Sequence, residues 1–238
     1  MNAIVRDINP SRRGFLVGSI AGGLSIGLKI PAFAQQATIP EVNAWVVVKP
    51  DSTCVIRIAR TEMGQGTLTG LAQLVAEELE CDWRKVTTEQ IRPGENLKRQ
   101  RVWGEMGTGG SRGIRTSHDY VRRGGAAARI MLMQAAAAKL NVPVGELSVA
   151  EGVITHAASG RKVSYGEVAE AASKITPPDP KAIQLKDPKN WKVAGKPVKR
   201  LDTAEKLDGS KKYAIDIVLP GMLVAAIKDC RSEEHTSE

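Results

Sequence analysis

A change of periodicity across residues 61–66 is the feature that most constrains this fold. Residues 53–60 alternate with a period of two, which is typical of a β-strand with Cys54, Ile56 and Ile58 on one face. From Leu68 to Leu79 the apolar residues recur at helical spacing instead, which predicts an amphipathic helix. The stretch between them, TEMGQG, therefore connects a strand directly to a helix.

The surrounding sequence predicts further strands and helices. The β-branched run at 44–49, the turn residues Pro50-Asp51-Ser52 and the strand at 53–60 together predict a hairpin. Glu77, Glu78 and Glu80 are expected to lie mostly on the outer side of the first helix. Further on, the sequence predicts a strand at 86–91, an alanine-rich helix at about 114–140 that Gly124-Gly125 could interrupt, a hairpin at 147–155, and a short helix through Ser173 that begins with the capping box Ser164 to Glu167. The expected fold class is α+β.

Composition is that of a soluble globular protein. Of the 238 residues, 42% are hydrophobic and 25% are charged, which suits a chain that buries a core. The net charge of +8 does not indicate nucleic-acid binding, because the basic residues are scattered among acids and only 4% of residues are aromatic. Cys54, Cys81 and Cys230 are far apart without a C-x-x-C pair, so this chain alone cannot build an iron–sulfur cluster or a zinc ribbon.

Residues 1–34 resemble a twin-arginine export signal. Arg12 and Arg13 precede the mildly apolar run 17–28, and Ala32-Phe33-Ala34 offers the small-x-small pattern that signal peptidase cuts. The alternative is a membrane anchor, but the run is shorter than the roughly 20 residues that span a bilayer. We therefore expect recognition by the twin-arginine export machinery and a periplasmic protein. That route carries folded proteins, which suggests a cofactor inserted before export.

The composition changes again near residue 175. Prolines among lysines and aspartates predict an extended linker over 176–200, so 35–175 would form one domain. Beyond the linker, 213–218 and 222–227 are strand-like runs that would open a β-containing domain at 201–230. Residues 231–238 begin abruptly after an apolar run and are interpreted as a non-native tail, the alternative being a genuine acidic tail.

The glycines of TEMGQG raise a binding hypothesis. Gly64 and Gly66 would let the backbone approach a ligand closely, and the N–H groups at the following helix start favour an anion such as a phosphate. Gln65 adds an amide with donors and an acceptor, which suits a heteroatom-rich ring or an oxo ligand. The alternative is a tight turn with Gln65 in water. A nicotinamide dinucleotide fingerprint is a third interpretation, but Gly64, Gly66 and Gly70 miss the G-x-G-x-x-G spacing by one residue.

A second glycine-rich loop, GEMGTGGSR at 104–112, precedes the long helix. Its residues Gly109, Gly110, Ser111 and Arg112 offer backbone donors, a hydroxyl and a guanidinium with bidentate anion geometry. The alternative is a flexible surface connection. Two such loops in one domain predict one large ligand.

Together these motifs resemble a known family. The EMGQG loop, the helix LAQLVAEEL after it, Asp82-Trp83, the GGSR loop and the alanine-rich helix are similar to the molybdopterin-binding large subunit of the xanthine dehydrogenase and aldehyde oxidase family, of the isoquinoline 1-oxidoreductase beta-subunit type. In that branch a hammerhead-like domain follows, whose start resembles residues 200–209 and 213–226. The resemblance covers about residues 45–228.

The resemblance implies a molybdenum hydroxylase that oxidises N-heterocycles or aldehydes with water as the oxygen source. The implied cofactor is molybdenum-molybdopterin in its cytosine dinucleotide form, contacted by Gly64, Gln65 and Gly66, with Gly109, Gly110, Ser111 and Arg112 as second candidates. Electrons would pass to an iron–sulfur small subunit and on to a cytochrome. No residue of this chain would ligate the metal.

The resemblance also implies that part of the subunit is missing from this sequence. Family members are several times longer, and their general-base glutamate lies in a C-terminal part that is absent here. The sequence is therefore interpreted as an inactive N-terminal fragment without a catalytic residue. Glu62 and Glu105 are interpreted as structural, and His118, His156 and His235 as surface or packing residues. The alternatives are a stand-alone exported domain that binds a phosphate-bearing ligand, or a nicotinamide-dependent oxidoreductase.

Overall fold

The computed structural model describes residues 41–227. The predicted signal at 1–34, residues 35–40, and 228–238 with Cys230 and the predicted tail lie outside these residues. The elements in chain order are β1 Val46–Val48, β2 Cys54–Ile58, α1 Thr67–Leu79, β3 Val86–Gln90, α2 Pro93–Lys98, α3 Arg112–Arg115, α4 His118–Leu140, β4 Leu147–Ala150, β5 Val153–His156, β6 Arg161–Ser164, α5 Tyr165–Ala172 and α6 Thr203–Leu207. Short 3-10 turns lie at Trp83–Lys85, Val144–Glu146, Pro180–Ala182, Pro188–Asn190 and Ala214–Asp216. This region is α+β, as the sequence predicts.

The strands form two three-stranded sheets. In the first, β1 pairs antiparallel with β2, and β2 pairs parallel with β3, with Cys54 opposite Val86. The parallel pair is possible because α1 makes the crossover between its two strands. In the second sheet, β4, β5 and β6 form an antiparallel meander. The hairpins predicted at 44–60 and 147–155 are confirmed, whereas β6 had no separate prediction.

Helices α1 and α4 form the central helix pair. Helix α4 continues unbroken through Gly124-Gly125, so the interruption expected there is wrong. A Cβ at position 125 would lie 2.4 Å from the carbonyl oxygen of Val75 on α1, and one at 124 would lie 2.5 Å from the ring of Trp45. The two glycines therefore allow close packing, and that packing outweighs the roughly 1 kcal/mol that each glycine costs a helix.

The acidic side of α1 is buried, which corrects the expectation that Glu77 and Glu78 point outward. Glu77 is 2% exposed and Glu78 is 0% exposed. Glu78 accepts hydrogen bonds from the Arg122 guanidinium on α4, at 2.7 and 2.9 Å, and from the backbone N–H of Lys186. One carboxylate oxygen of Glu77 accepts from the backbone N–H groups of residues 192–194. The reason is that the segment after residue 175 lies along this side of the helix.

The segment predicted as an extended linker, 176–200, is irregular with two 3-10 turns, and it is anchored to α1. Gln73 of α1 donates to the carbonyl oxygens of Val193 and Lys196, and the hydroxyl of Thr69 accepts from the backbone of Leu201. Ile183 and Ala194 are also buried. The polar side of α1 thus provides the hydrogen-bonding partners that this proline-rich segment cannot supply for itself.

Residues 201–227 contain no β-strand. The two strand-like runs at 213–218 and 222–227 are irregular apart from the turn at Ala214–Asp216, and their apolar side chains lie in solvent, with Leu223 90% and Ile227 98% exposed. A strand needs a hydrogen-bonded neighbour, and no strand within 41–227 pairs with these runs. The assignment of 201–230 to a hammerhead-like domain stays a prediction. Within residues 41–227, no helix is both long and apolar enough to cross a bilayer.

The contact between α1 and α4 makes a prediction about stability. Gly125→Ala should lower the free energy of unfolding by about 1–3 kcal/mol, because the added methyl group overlaps the Val75 carbonyl oxygen. Gly94→Ala is the matched control, since a Cβ there meets no atom within 4 Å. Urea unfolding of both variants checks this. Equal stabilities would show that the helices separate at no cost.

Candidate functional site

Residues 61–66, called loop A, turn the chain from β2 into α1. Gly64 and Gly66 have φ angles of +101° and +86°, in the left-handed region that favours glycine. A Cβ at either position would meet no atom within 4 Å. The backbone conformation therefore requires these glycines, and the space beside them is open.

Glu62 closes the N-terminal end of α1. Its carboxylate accepts from the backbone N–H groups of Gly64, Gly66 and Leu68 at 2.7, 3.0 and 2.9 Å, and Arg200 donates to it at 3.0 Å. Burial alone would raise the pKa of Glu62, but these hydrogen bonds and the charge of Arg200 hold that pKa below its ordinary value. The chain itself therefore supplies the anion that the sequence suggests for this helix start. The interpretation of Glu62 as structural is confirmed.

Gln65 is exposed, yet its amide is engaged within loop A. The side-chain oxygen accepts from the backbone N–H of Met63 at 2.6 Å, and the side-chain nitrogen donates to the carbonyl oxygen of Thr61 at 2.9 Å. An amide retains a second N–H and a second lone pair beyond these two bonds. Gln65 therefore braces the turn, and its contact with a ligand stays a prediction.

Residues 104–112, called loop B, differ from loop A because most of their backbone N–H groups make no hydrogen bond within the described residues. No backbone N–H from Glu105 to Ser111 donates to another residue within 41–227. Gly110 and Ser111 are both left-handed, with φ angles of +67° and +55°, and a Cβ at Gly109 or Gly110 would meet no atom within 4 Å. Backbone donors in such a turn form anion-binding concavities. Loop B, ranked second from the sequence, thus keeps a continuous run of unengaged backbone donors, whereas four of the six backbone N–H groups of loop A already donate within the chain.

The structure brings the two loops into contact. The backbone N–H of Thr61 in loop A donates to the hydroxyl of Thr108 in loop B at 3.1 Å. Where α3 meets the start of α1, a Cβ at Gly113 would lie 2.7 Å from the hydroxyl oxygen of Thr67. Gly113 is thus required by this close approach. The predicted binding residues of loop A and loop B therefore belong to one neighbourhood.

The residues present suit an anionic ligand rich in heteroatoms, such as a pterin phosphate. Loop B offers backbone N–H groups, the exposed hydroxyl of Ser111 and the guanidinium of Arg112, which donates through Nε to the carbonyl of Gly109 and lies 3.5 Å from Glu105. Loop A adds the open backbone beside Gly64 and Gly66. The donor set and the unfilled space above the glycines both fit such a group.

Protein ligands for a metal ion do not gather within residues 41–227. No three His, Cys, Asp or Glu side chains there form a metal-binding group. His156 is buried between Ser159 and Glu146, at 2.7 and 2.8 Å, which confirms it as a packing residue. His118 lies beside the ring of Trp191, and His235 lies outside the described residues.

Two residues important to this site were missed from the sequence. Arg60 is 2% exposed and donates a hydrogen bond to the Gly107 carbonyl oxygen in loop B. Its burial could have been predicted, because it continues the buried face formed by Cys54, Ile56 and Ile58. Arg200 donates to the carbonyl oxygen of Gly64 at 2.7 Å and forms a fork with Asp202. No local pattern could place Arg200 beside loop A, because the two lie far apart in sequence.

Comparisons with known proteins give a consistent result. A family model described as "Molybdopterin cofactor-binding domain" matches residues 5–216. The chain is 31% identical over 227 residues to the membrane-bound aldehyde dehydrogenase [pyrroloquinoline-quinone] of Gluconacetobacter polyoxogenes, covering 90% of this chain and 28% of that protein. It is 31% identical over 271 residues to the isoquinoline 1-oxidoreductase subunit beta of Brevundimonas diminuta, covering 95% of this chain and 34% of that protein. The chain thus spans about a third of these relatives.

Among solved structures, quinoline 2-oxidoreductase from Pseudomonas putida 86 aligns with 53% of this chain and 15% of its own chain. The alignment has a TM-score of 0.40 and a sequence identity of 20%. A similarity at this level does not define the fold, which therefore rests on the elements described above.

The closure of α1 by Glu62 predicts a pH-dependent effect. Glu62→Gln should lower the free energy of unfolding at pH 7 by about 1–2 kcal/mol, because the amide replaces one acceptor oxygen and the ion pair with Arg200 is lost. Since the folded-state pKa of Glu62 is depressed, its contribution is complete above the unfolded-state pKa and disappears as the pH falls through the folded-state value. The deficit should therefore shrink below about pH 4.

Urea unfolding at several pH values measures this difference. Glu170→Gln is the control, because Glu170 makes only an exposed pair with Lys174, which is worth little. A deficit for Glu62→Gln that is constant with pH would contradict a role for the ionised carboxylate.

Proposed function

Because this chain belongs to the xanthine dehydrogenase family of molybdopterin-binding subunits, we propose that it supplies part of the cofactor-binding region of a molybdenum hydroxylase. The observation that carries the proposal is the contact between loops A and B, which joins glycine-rich backbone to the unengaged donors of loop B. The reaction proposed for the whole enzyme is oxidation of an N-heterocycle or an aldehyde with water as the oxygen source.

Each loop has a separate role in this proposal. Loop B binds the phosphate part of the cofactor through its unengaged backbone N–H groups, with the exposed Ser111 hydroxyl and Arg112 guanidinium as further donors. Loop A, held rigid by Glu62 and Gln65, presents Gly64 and Gly66 beside the ring system. When bound, the molybdenum cofactor would supply the oxygen-transfer and two-electron chemistry.

The proposal extends to the form of the cofactor and to the partners. A cytosine dinucleotide form suits two adjoining loops, since it carries more phosphate and more heteroatoms than molybdopterin alone. A separate iron–sulfur subunit, and a cytochrome after it, would receive the electrons, because the sequence contains no C-x-x-C pair for a cluster. The general base would come from a part of the subunit outside this sequence.

One relative favours a second cofactor. The aldehyde dehydrogenase of Gluconacetobacter polyoxogenes carries pyrroloquinoline-quinone in its name, and that quinone has carboxylates that loop B could also bind. The nicotinamide alternative is weaker, because Glu62 already occupies the α1 N–H groups that a dinucleotide pyrophosphate would use. Cofactor analysis separates all three.

The proposal predicts that Gly109→Ala folds normally but retains less cofactor. The added methyl group meets no atom of the chain within 4 Å, and the φ angle of Gly109 is not left-handed, so stability should change by less than about 1 kcal/mol. The same methyl group would enter the space assigned to the cofactor, so bound pterin and molybdenum should fall several-fold.

The measurement is metal analysis and pterin fluorescence on the complete subunit, purified with its partner from its native host. Gly94→Ala is the control, because its Cβ also meets no atom and lies outside both loops. Wild-type protein with quinone or nicotinamide and no pterin would refute the proposed function. Full pterin occupancy in Gly109→Ala would instead refute only the role of loop B, and would leave the proposed function standing.

The residues before the described region support a proposal about location. We propose that the protein is exported to the periplasm by the twin-arginine route, because Arg12 and Arg13 precede an apolar run and a small-x-small motif. Replacing both arginines by lysine should abolish export, since the receptor reads the pair itself. Cell fractionation checks this, with Arg6→Lys as the control. Recovery of the double variant from the periplasm would contradict the proposal.

A further inference from the structure

Arg60 lies where the two loops meet, but it belongs to neither. It follows β2 on the buried side of the strand and is 2% exposed. Its guanidinium donates to the hydroxyl of Ser117 and to that of Thr116, both at 2.9 Å, and also to the carbonyl oxygen of Gly107. Thr61, the next residue, begins loop A. One side chain thus links the start of loop A to loop B and to the start of α4.

The charge of Arg60 has no carboxylate partner among residues 41–227. All three of its acceptors are neutral, and it forms no ion pair with a described Asp or Glu. Arg122, the other buried arginine, is paired with Glu78 at 2.7 Å. A buried charge is costly to dehydrate, and an apolar side chain of similar volume is often as stable or more stable in its place. Stability alone therefore does not account for an arginine at position 60.

Geometry offers the better explanation. A planar guanidinium donates in several fixed directions at once, so it can hold Gly107 and the adjacent pair Thr116 and Ser117 in one arrangement. Gly107 lies before the proposed ligand-binding residues 109–112, and Thr116 and Ser117 lie after them. The bond from Thr61 to Thr108 completes the link from the side of loop A. Loss of Arg60 would leave this one exposed hydrogen bond between the loops, beside the packing of Gly113 against Thr67.

We propose that Arg60 is a positioning residue for the cofactor: it fixes loop B against loop A so that both loops can bind one ligand. The inference rests on the proposed function, since it takes the shared ligand to be the pterin cofactor. Arg60 itself does not touch that ligand. Its contribution is to keep the free N–H groups of loop B beside Gly64 and Gly66.

The test separates cofactor retention from stability. Arg60→Met removes the charge and the fork but keeps an unbranched side chain, so the melting temperature of the cofactor-free protein should stay within about 5 °C of wild type. Pterin retained by the complete subunit should fall roughly tenfold or more, as is typical when a residue that orients a binding group is lost. Arg60→Lys should not restore it, because a single ammonium cannot reach three acceptors in fixed directions.

A second readout uses protein without cofactor. Trypsin should cleave after Arg112 at the end of loop B, or after Arg115 in α3, several-fold faster in Arg60→Met than in wild type, while cleavage at the exposed Lys174 stays unchanged as an internal reference. Arg122→Met is the contrasting variant, since it leaves Glu78 buried and unpaired and should lower the melting temperature strongly.

Wild-type pterin retention in Arg60→Met, or full rescue by lysine, would overturn the inference. If Arg60→Met does not fold, Thr116→Val decides, because it removes one acceptor of the fork at an exposed position. Faster loop cleavage and lower pterin retention in Thr116→Val would support the inference, and unchanged values would overturn it. A wild-type subunit without any pterin refutes the proposed function instead, while the cleavage rates still report whether Arg60 holds loop B.

Discussion

The burial of α1 on every side is the constraint from which the rest of this structure follows. Its apolar face packs on the first sheet and on α4, and Gly125 brings the α4 backbone against Val75. Its acidic side is buried as well, so Glu77 and Glu78 need hydrogen-bond donors in place of water. Arg122 and the backbone of 186–194 provide them. The segment after residue 175, which has little core of its own, is therefore fixed to the domain by hydrogen bonds to the carboxylates of Glu77 and Glu78.

A helix held in this way gives loop A a rigid base. Glu62 and Gln65 use the nearby N–H groups for the turn itself, and Arg200 arrives from the anchored segment to bind both Glu62 and Gly64. Rigidity at loop A and unused donors at loop B are complementary properties, since a binding site needs both a fixed shape and free hydrogen-bonding groups. Arg60 is the residue that joins them.

Much of the local structure could be predicted from the sequence. Period-two alternation placed β2, helical spacing placed α1, and the capping-box pattern placed the start of α5 at Ser164, whose N–H and hydroxyl both donate to Glu167. The predictions that proved wrong concern what lies against an element. Glu78 follows Leu71 and Val75 at core spacing and so could have been predicted as buried, whereas the burial of Glu77 depends on backbone N–H groups more than a hundred residues away.

The α+β class, both glycine-rich loops and the resemblance to molybdopterin-binding subunits could be predicted from the sequence, because they depend on local periodicity, on backbone conformation and on motifs of neighbouring residues. The closure of loop A on Glu62 is local, because the N–H groups that donate to this carboxylate lie two to six residues further along the chain. The tertiary fold decided that loop B keeps its donors free. It also decided that a buried arginine links the two loops and that the proline-rich segment is anchored. These features depend on which groups, distant in sequence, replace water around a buried charge or an N–H group, and no local pattern specifies that choice.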